Sequence, residues 1–370
     1  MPDISLSIHL HQPSFPRAFH LDAQDHGPLD ETLGDIALEK ISDLLLRPLL
    51  QMLRPTLDAI DMELALGLSG NLLNLLESGN PALLSSCQDL WQHPSVKMIP
   101  QPFHRTAQVV SNRAAWISDI ERYQKMLRQR GAHLSATLQN PGYLFIRYLS
   151  WPLEEAGISS VIVDGDGFGW SGKWANRISR VSFQHSFRVL TRNSGWSNRL
   201  ESLEGIDQGP IRLATQFLEE LRSAGEEPVV LSIDLRKWLS RPALISDGMT
   251  LLQLLLTRGN AYGVEWVSPD SLLQRHPVTG EFDPTDWVVR PEAEGLLGRH
   301  NAHPVAADVI GVWDSLQASG ADPDPAWLDE AWMTIMDQPE RLIPGTSLSA
   351  GQIYARLMRL FSDMKERLHE

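Results

Sequence analysis

The strongest constraint in this sequence is a repeated alternation of short apolar runs with helical stretches. Each run ends abruptly in polar residues. Residues 4–10 form the first, cut off at Gln12-Pro13, and a helical stretch over 33–60, broken near Pro48 and Pro55, follows it. Residues 64–68 end at Ser69-Gly70, and 96–99 are closed by Pro100 and Pro102. Trp116, Ile120, Tyr123 and Met126 recur at spacings of three and four, which predicts a helix over 111–130. Residues 133–138 and 158–163 read as the fourth and fifth strands, with a helix over 150–156 between them. A helix over 211–224 leads to the strand 229–233, followed at once by Asp234; residues 251–258 and 264–267 repeat the unit. This rhythm implies a parallel sheet with its helices outside it. Six to eight such units close into a barrel, and a distorted seven-unit barrel is as compatible as eight.

Beyond about residue 270 the pattern changes. Residues 276–302 are rich in Pro, Gly and charge, and 305–316, 327–336 and 349–368 read as helices. The expected organisation is an α/β barrel over 1–270 and a C-terminal helical domain over 271–370. A net charge of −14 argues against a nucleic-acid partner, whose binding runs on clustered Lys and Arg. The lone cysteine, Cys87, excludes an internal disulfide framework. The N-terminus lacks a basic segment followed by an apolar one, and no apolar run reaches the ~18 residues of a membrane span. The expectation is therefore a cytoplasmic chain with no membrane partner.

In a parallel barrel the working face is where strands end. Those points carry His9, His11 and Gln12, then Ser69, Gly70 and Asn71, Gln101 and His104, Asn140 and Gly142, Asp164 and Asp166, and Asp234. His9 and His11 stand two apart and so share one side of a strand. They read either as half of a metal site or as one core and one rim histidine. A zinc site needs three or four ligands, and His104 is the plausible third. Asp234 is either a catalytic acid/base or a loop cap, and Asp164 and Asp166 suit an Asx turn. Trp170 and Trp174 fit either a sugar platform or an inward helix face. Cys87 has no neighbours that suggest a nucleophile.

Several of these stretches resemble glycoside hydrolase family 57 in its branching-enzyme-like and 4-α-glucanotransferase-like forms. Residues 8–13 (IHLHQP) are similar to the family's opening His-Gln-Pro motif, 68–73 to its second-strand stretch, and 96–104 to its third-strand motif with a late His. Residues 153–164 match the helix and strand after the nucleophile motif, and 230–234 the strand bearing the acid/base aspartate. In the tail, Met336-Asp-Gln-Pro339, Pro344-Gly-Thr346 and Tyr354-Ala-Arg356 complete the series in order.

The resemblance implies a distorted (β/α)7 barrel whose face is closed by the C-terminal helical domain, an α-glucan or related oligosaccharide as partner, and no cofactor. It implies Asp234 as acid/base or hydroxyl ligand. His9, His11, Gln12, His104, Asp164, Trp170 and Asp337 are the implied sugar contacts. It also exposes a departure. Retaining hydrolysis needs two carboxyl groups ~5 Å apart, one attacking the anomeric carbon and one moving a proton. The family's nucleophile is a glutamate near the end of strand four; here that position falls on Asn140 or Gly142, and residues 131–153 hold no Asp or Glu. The third-strand glutamate is replaced by Lys97 or Met98, and the second acid of the Asp-x-Glu pair by Arg236. The leading expectation is a glucan-binding barrel with degenerate catalytic machinery. Its rivals are an enzyme using other carboxylates (Asp164, Asp166 or Asp337), a metal-dependent hydrolase or deacetylase built on His9, His11 and His104, and a scaffold that docks through its tail.

Overall fold

A computed structural model describes residues 1–12, 31–103, 113–166, 175–182 and 184–282. Its strands are β1 (Asp3–Leu10), β2 (Leu64–Leu68), β3 (Val96–Met98), β4 (Thr137–Leu138), β5 (Ser160–Asp164), β6 (Ile178–Val181), β7 (Gln184–Arg192), β8 (Val229–Asp234), β9 (Glu265–Val267) and β10 (Gly280–Phe282). Parallel pairings run β3-β2-β1-β8-β7-β5-β4. A parallel bridge between Met98 and Leu134 joins the two ends, so seven strands complete a ring. The ring is distorted: that seam and the β7–β8 seam, Arg192 against Val230, are each a single bridge. β9 pairs with the start of β1, and β6 runs antiparallel to β7. This is the (β/α)7 architecture expected from the sequence.

Side-chain alternation divides each strand between two environments. Ile4, Leu6, Ile8 and Leu10 of β1 join Leu64, Leu66 and Leu68, Val96 and Met98, and Val229, Leu231 and Ile233 in one cluster under the surrounding helices. Each such side chain contributes about 1.5–3 kcal/mol by leaving water, so these strands hold their register. The opposite residues face the barrel interior. Ala65, Ile99, Ile162, Leu190, Val230 and Val267 make an apolar plug, together with Tyr143 and with Leu272 of the helix Pro269–Arg275. Above it the inward positions turn polar, and that change of layer creates the site.

The helices are α1 (Glu31–Ile41), α2 (Arg47–Ala59), α3 (Gly70–Gly79), α4 (Pro81–Trp91), α5 (Arg113–Gln129), α6 (Ser150–Glu155), α7 (Ser194–Ser202), α8 (Pro210–Arg222), α9 (Ile245–Arg258) and α10 (Pro269–Arg275). The expected breaks at Pro48 and Pro55 are resolved differently. Pro48 lies in the first turn of α2, where no amide hydrogen is needed, and Pro55 stays inside the helix. The break falls earlier, at a π-helical stretch, Ser42–Leu46. Buried Leu49, Leu53 and Leu57 anchor α2 and offset the missing hydrogen bond. The fourth strand is shorter than the expected 133–138, while the β6–β7 hairpin and α7 have no counterpart in the sequence reading. α10 crosses residue 270 and β10 pairs with β6, so the chain stays on the barrel through Phe282. The expected tail helices lie outside the described residues. No described helix is long and apolar enough to cross a membrane.

Candidate functional site at the C-terminal ends of the strands

His9 stands at the centre of the polar layer. In register it lies beside Gly67 on β2 and Asp234 on β8. A Cβ on residue 67 would sit 2.3 Å from His9 Nδ1, so the glycine is what leaves room for the imidazole. His11 and Gln12 are buried just beyond β1. Gln12 Nε2 donates to the Gly34 carbonyl of α1 at 2.9 Å, which ties the strand end to the first helix. Ser69 ends β2 by capping α3, accepting from Leu72 N at 3.3 Å.

Asp234 ends β8. Its Oδ1 accepts from Arg236 N at 3.0 Å, capping the 3-10 turn Leu235–Ser240, and its Oδ2 lies 3.5 Å from Arg236 Nη2. Arg236, two residues on, thus faces the carboxylate it follows. The Asp234 amide donates to Glu201 Oε1 at 3.0 Å, and Lys237 Nζ reaches Glu201 Oε2 at 2.7 Å. Glu201 sits in the last turn of α7, a helix started by Asn193, whose Oδ1 caps Trp196 N.

Arg192, at the end of β7, organises what remains. It is 0% exposed. Its Nη1 donates to Asp164 Oδ2 at 3.2 Å, its Nη2 to Asn198 Oδ1 at 3.0 Å with Glu201 Oε1 at 3.3 Å, and its Nε to the Ser232 carbonyl at 2.9 Å. The guanidinium also lies over the Tyr143 ring, 5.0 Å from its centroid. Asp164 is further engaged by the Ser194 hydroxyl and the Asp166 amide. Three carboxylates (Asp164, Glu201, Asp234) therefore share the layer with three cations (Arg192, Arg236, Lys237), a balance that lets buried charges persist.

Beyond β4 the chain enters the 3-10 turn Pro141–Tyr143. Asn140, one of the two candidate nucleophile positions, is buried and faces α5. Its Oδ1 accepts from Trp116 Nε1 at 3.2 Å and its Nδ2 donates to the Leu144 carbonyl at 2.9 Å. Gly142, the other, takes a left-handed φ of 63°, and Tyr143 follows at 55°, an uncommon conformation for a residue with a Cβ. That double turn brings Tyr143 into the interior cluster, where its hydroxyl donates to Ser232 Oγ at 3.0 Å. Ser232 in turn donates to Gln139 Oε1 at 2.8 Å. The carboxylates nearest to Asp234 in the hydrogen-bond network are thus Glu201 and Asp164, both drawn onto one guanidinium.

The fold brings His9, His11, Gln12, Asp164 and Asp234 to one end of the barrel. His104, Trp170, Trp174 and Asp337 lie outside the described residues. Sequence reasoning missed Arg192, Glu201, Gln139 and Tyr143; for Gln139 the inward alternation from Thr137 would have found it. Among the described residues no group of three or more His, Cys, Asp or Glu side chains is placed to hold a metal ion. Lys97 faces away from this end, within electrostatic reach of Glu63 and Asp270, and Asp270 is raised above the usual carboxylate range by burial. Cys87 is buried, which pushes its thiol up to about 12 and leaves it protonated at neutral pH.

Comparison with known proteins agrees with this architecture. The fold is shared with a 4-alpha-glucanotransferase from Thermococcus litoralis (TM-score 0.70, 12% identity), matching 98% of this chain and 59% of the enzyme. This chain thus spans less than two thirds of that relative. An alpha-amylase, AmyC, from Thermotoga maritima gives 0.68 at 11% identity, over 100% of this chain and 93% of its own. A branching enzyme from Thermococcus kodakaraensis gives 0.72 at 10% identity, over 99% and 90%. No curated protein matches by sequence. The family model for glycosyl hydrolase family 57 matches residues 5–283, and the chain belongs to that family.

Proposed function

We propose that this chain binds an α-glucan or related neutral oligosaccharide at the C-terminal mouth of the barrel without the family's retaining hydrolysis. The observation that carries the reading is the end of β4, where the candidate nucleophile position Asn140 is an amide bonded to Trp116 and Leu144. An amide cannot form a glycosyl ester. The other buried carboxylates do not replace it: Asp164 and Glu201 are each committed to Arg192, and attack by either would break a buried ion pair. Asp234 alone cannot serve as both nucleophile and proton donor.

Binding does not need that pair. His9, His11, Gln12 and Asp234 end two adjacent strands and offer donors and acceptors suited to sugar hydroxyls. The family's fold relatives include proteins named for glucan chemistry, which supports an α-glucan over other sugars. The test is isothermal titration with maltoheptaose, run beside analysis of the sugar recovered. The expected result is saturable heat with intact maltoheptaose, and heat reduced about tenfold in affinity in Asp234→Ala, the loss of one charged hydrogen bond. Shortened or lengthened sugars whose formation stops in Asp234→Asn would replace this reading with a working enzyme. Absence of heat with every glucan would remove the ligand.

A further inference from the structure

β8 outruns its neighbour. Its pairing with β7 is the single register pair Arg192–Val230, and a main-chain bond across that seam runs from Asn193 N to the Val230 carbonyl at 2.8 Å. On its other side β8 stays paired with β1 as far as His9–Asp234. Alternate residues of a strand send their N–H and C=O to the same edge, so Ser232 and Asp234 turn theirs toward the side that β7 has left. Buried main-chain groups there need partners, and side chains supply them. The Ser232 amide donates to Ser197 Oγ at 3.2 Å, and the Ser232 carbonyl accepts from Arg192 Nε at 2.9 Å. The Asp234 amide donates to Glu201 Oε1 at 3.0 Å. Ser197 and Glu201 are both buried and stand four apart on α7. Four helical residues climb about 6 Å, close to the ~6.6 Å between alternate residues of a strand, so one helix face meets both amides. Asn193 sets this up, since its amide bonds to β8 and its side chain starts α7.

We infer that α7 serves as a surrogate strand along the end of β8, with Glu201 and Ser197 as positioning residues that hold the Asp234 carboxylate at the mouth. Both act through the main chain of β8. That their effect reaches a ligand through Asp234 rests on the glucan reading of the mouth; the hold on β8 does not. The hydrogen-bond acceptor, rather than the charge, is the part of Glu201 that β8 uses. Without it the Asp234 amide is buried and unpaired. The cations on Glu201 have other outlets: the Lys237 side chain is 27% exposed, and Arg192 keeps Asp164, Asn198 and the Ser232 carbonyl. The turn after Asp234 is fastened to the same helix. Trp238 Nε1 donates to the Leu200 carbonyl at 3.0 Å, and Arg241 Nη1 to the Ser202 carbonyl at 2.9 Å.

The experiment compares the full chain with Glu201→Met, Glu201→Gln and Ser197→Ala by residue-resolved amide hydrogen exchange and by calorimetry with maltoheptaose. In Glu201→Met the Asp234 amide should exchange roughly tenfold or more faster, while Ile233, whose amide serves β1, keeps its rate. Glu201→Gln keeps an acceptor and should keep the protection. In Ser197→Ala the faster amide should be Ser232. Maltoheptaose affinity should fall roughly tenfold in Glu201→Met, as in Asp234→Ala, and combining the two should cost nothing further. Equal exchange at Asp234 in the parent and Glu201→Met overturns the inference. So does acceleration spread evenly over β8, which reports general loosening, or loss of protection in Glu201→Gln, which assigns the effect to charge. Losses in Glu201→Met and Asp234→Ala that add overturn the route through Asp234, as does faster exchange with unchanged affinity. If Glu201→Met does not fold, Ser197→Ala decides, and an unchanged Ser232 rate overturns the inference. A parent chain that binds no maltoheptaose removes the glucan reading; the exchange rates then judge the hold on β8, local deprotection supporting it and equal rates overturning it.

Discussion

Replacing Arg192 with methionine should cost about 3–5 kcal/mol of folding free energy, the penalty for stranding a buried charge. The guanidinium is inaccessible to water and serves Asp164, Glu201, Asn198 and the Ser232 carbonyl at once. Methionine fills much of the same volume, so the loss reports the charges rather than a cavity. Asp164 would then lose the Arg192 cation, and Glu201 would keep its pairing with Lys237. Arg192→Lys should recover little, since an ammonium cannot reproduce the planar fork that engages two acids. Urea denaturation at neutral pH measures both variants. A loss below about 1 kcal/mol would mean the charges are not held in the buried geometry described.

The second large effect is expected at Asn140. Its amide satisfies Trp116 Nε1 on one side and the Leu144 carbonyl on the other. Asn140→Leu removes both hydrogen bonds and should cost about 1–3 kcal/mol for each buried group left unpaired. Asn140→Glu is more informative, since it puts a carboxylate back at a candidate nucleophile position. The side chain faces α5, so the substitution should lower stability in urea and create no glycosidase activity on maltoheptaose. Restored hydrolysis would show that this position turns toward the sugar after all.

The frame of this barrel was legible in the sequence because its strands are buried on both faces. Residues 229–233 are apolar apart from Ser232, and 4–10 alternate only between aliphatic and small or polar residues, so strand and boundary could be read together. The same strand ends gave His9, His11, Asp164 and Asp234. β7 was hidden by its own function. Arg188 and Arg192 occupy inward positions that an ordinary strand would fill with aliphatic residues, and the charges erase the period that marks a strand. Glu201 was invisible for a related reason: a glutamate near a helix end reads as solvent-facing until the helix is seen to lay it under Asp234. Tyr143 depends on two successive left-handed residues, a conformation that glycine at 142 permits but does not announce at 143. Asp164 sat correctly at the end of its strand; its bonds to Arg192, Ser194 and the Asp166 amide suit the Asx-turn alternative stated for it.

The account turns on separating sugar recognition from sugar cleavage, and one measurement observes both. Saturation-transfer NMR on maltoheptaose with the full chain reports contact through the sugar protons and bond breaking through the anomeric signals of new reducing ends. The account predicts transfer to the sugar with anomeric signals that stay constant over a day. New reducing ends that accumulate with the parent chain and not with Asp234→Asn would contradict it.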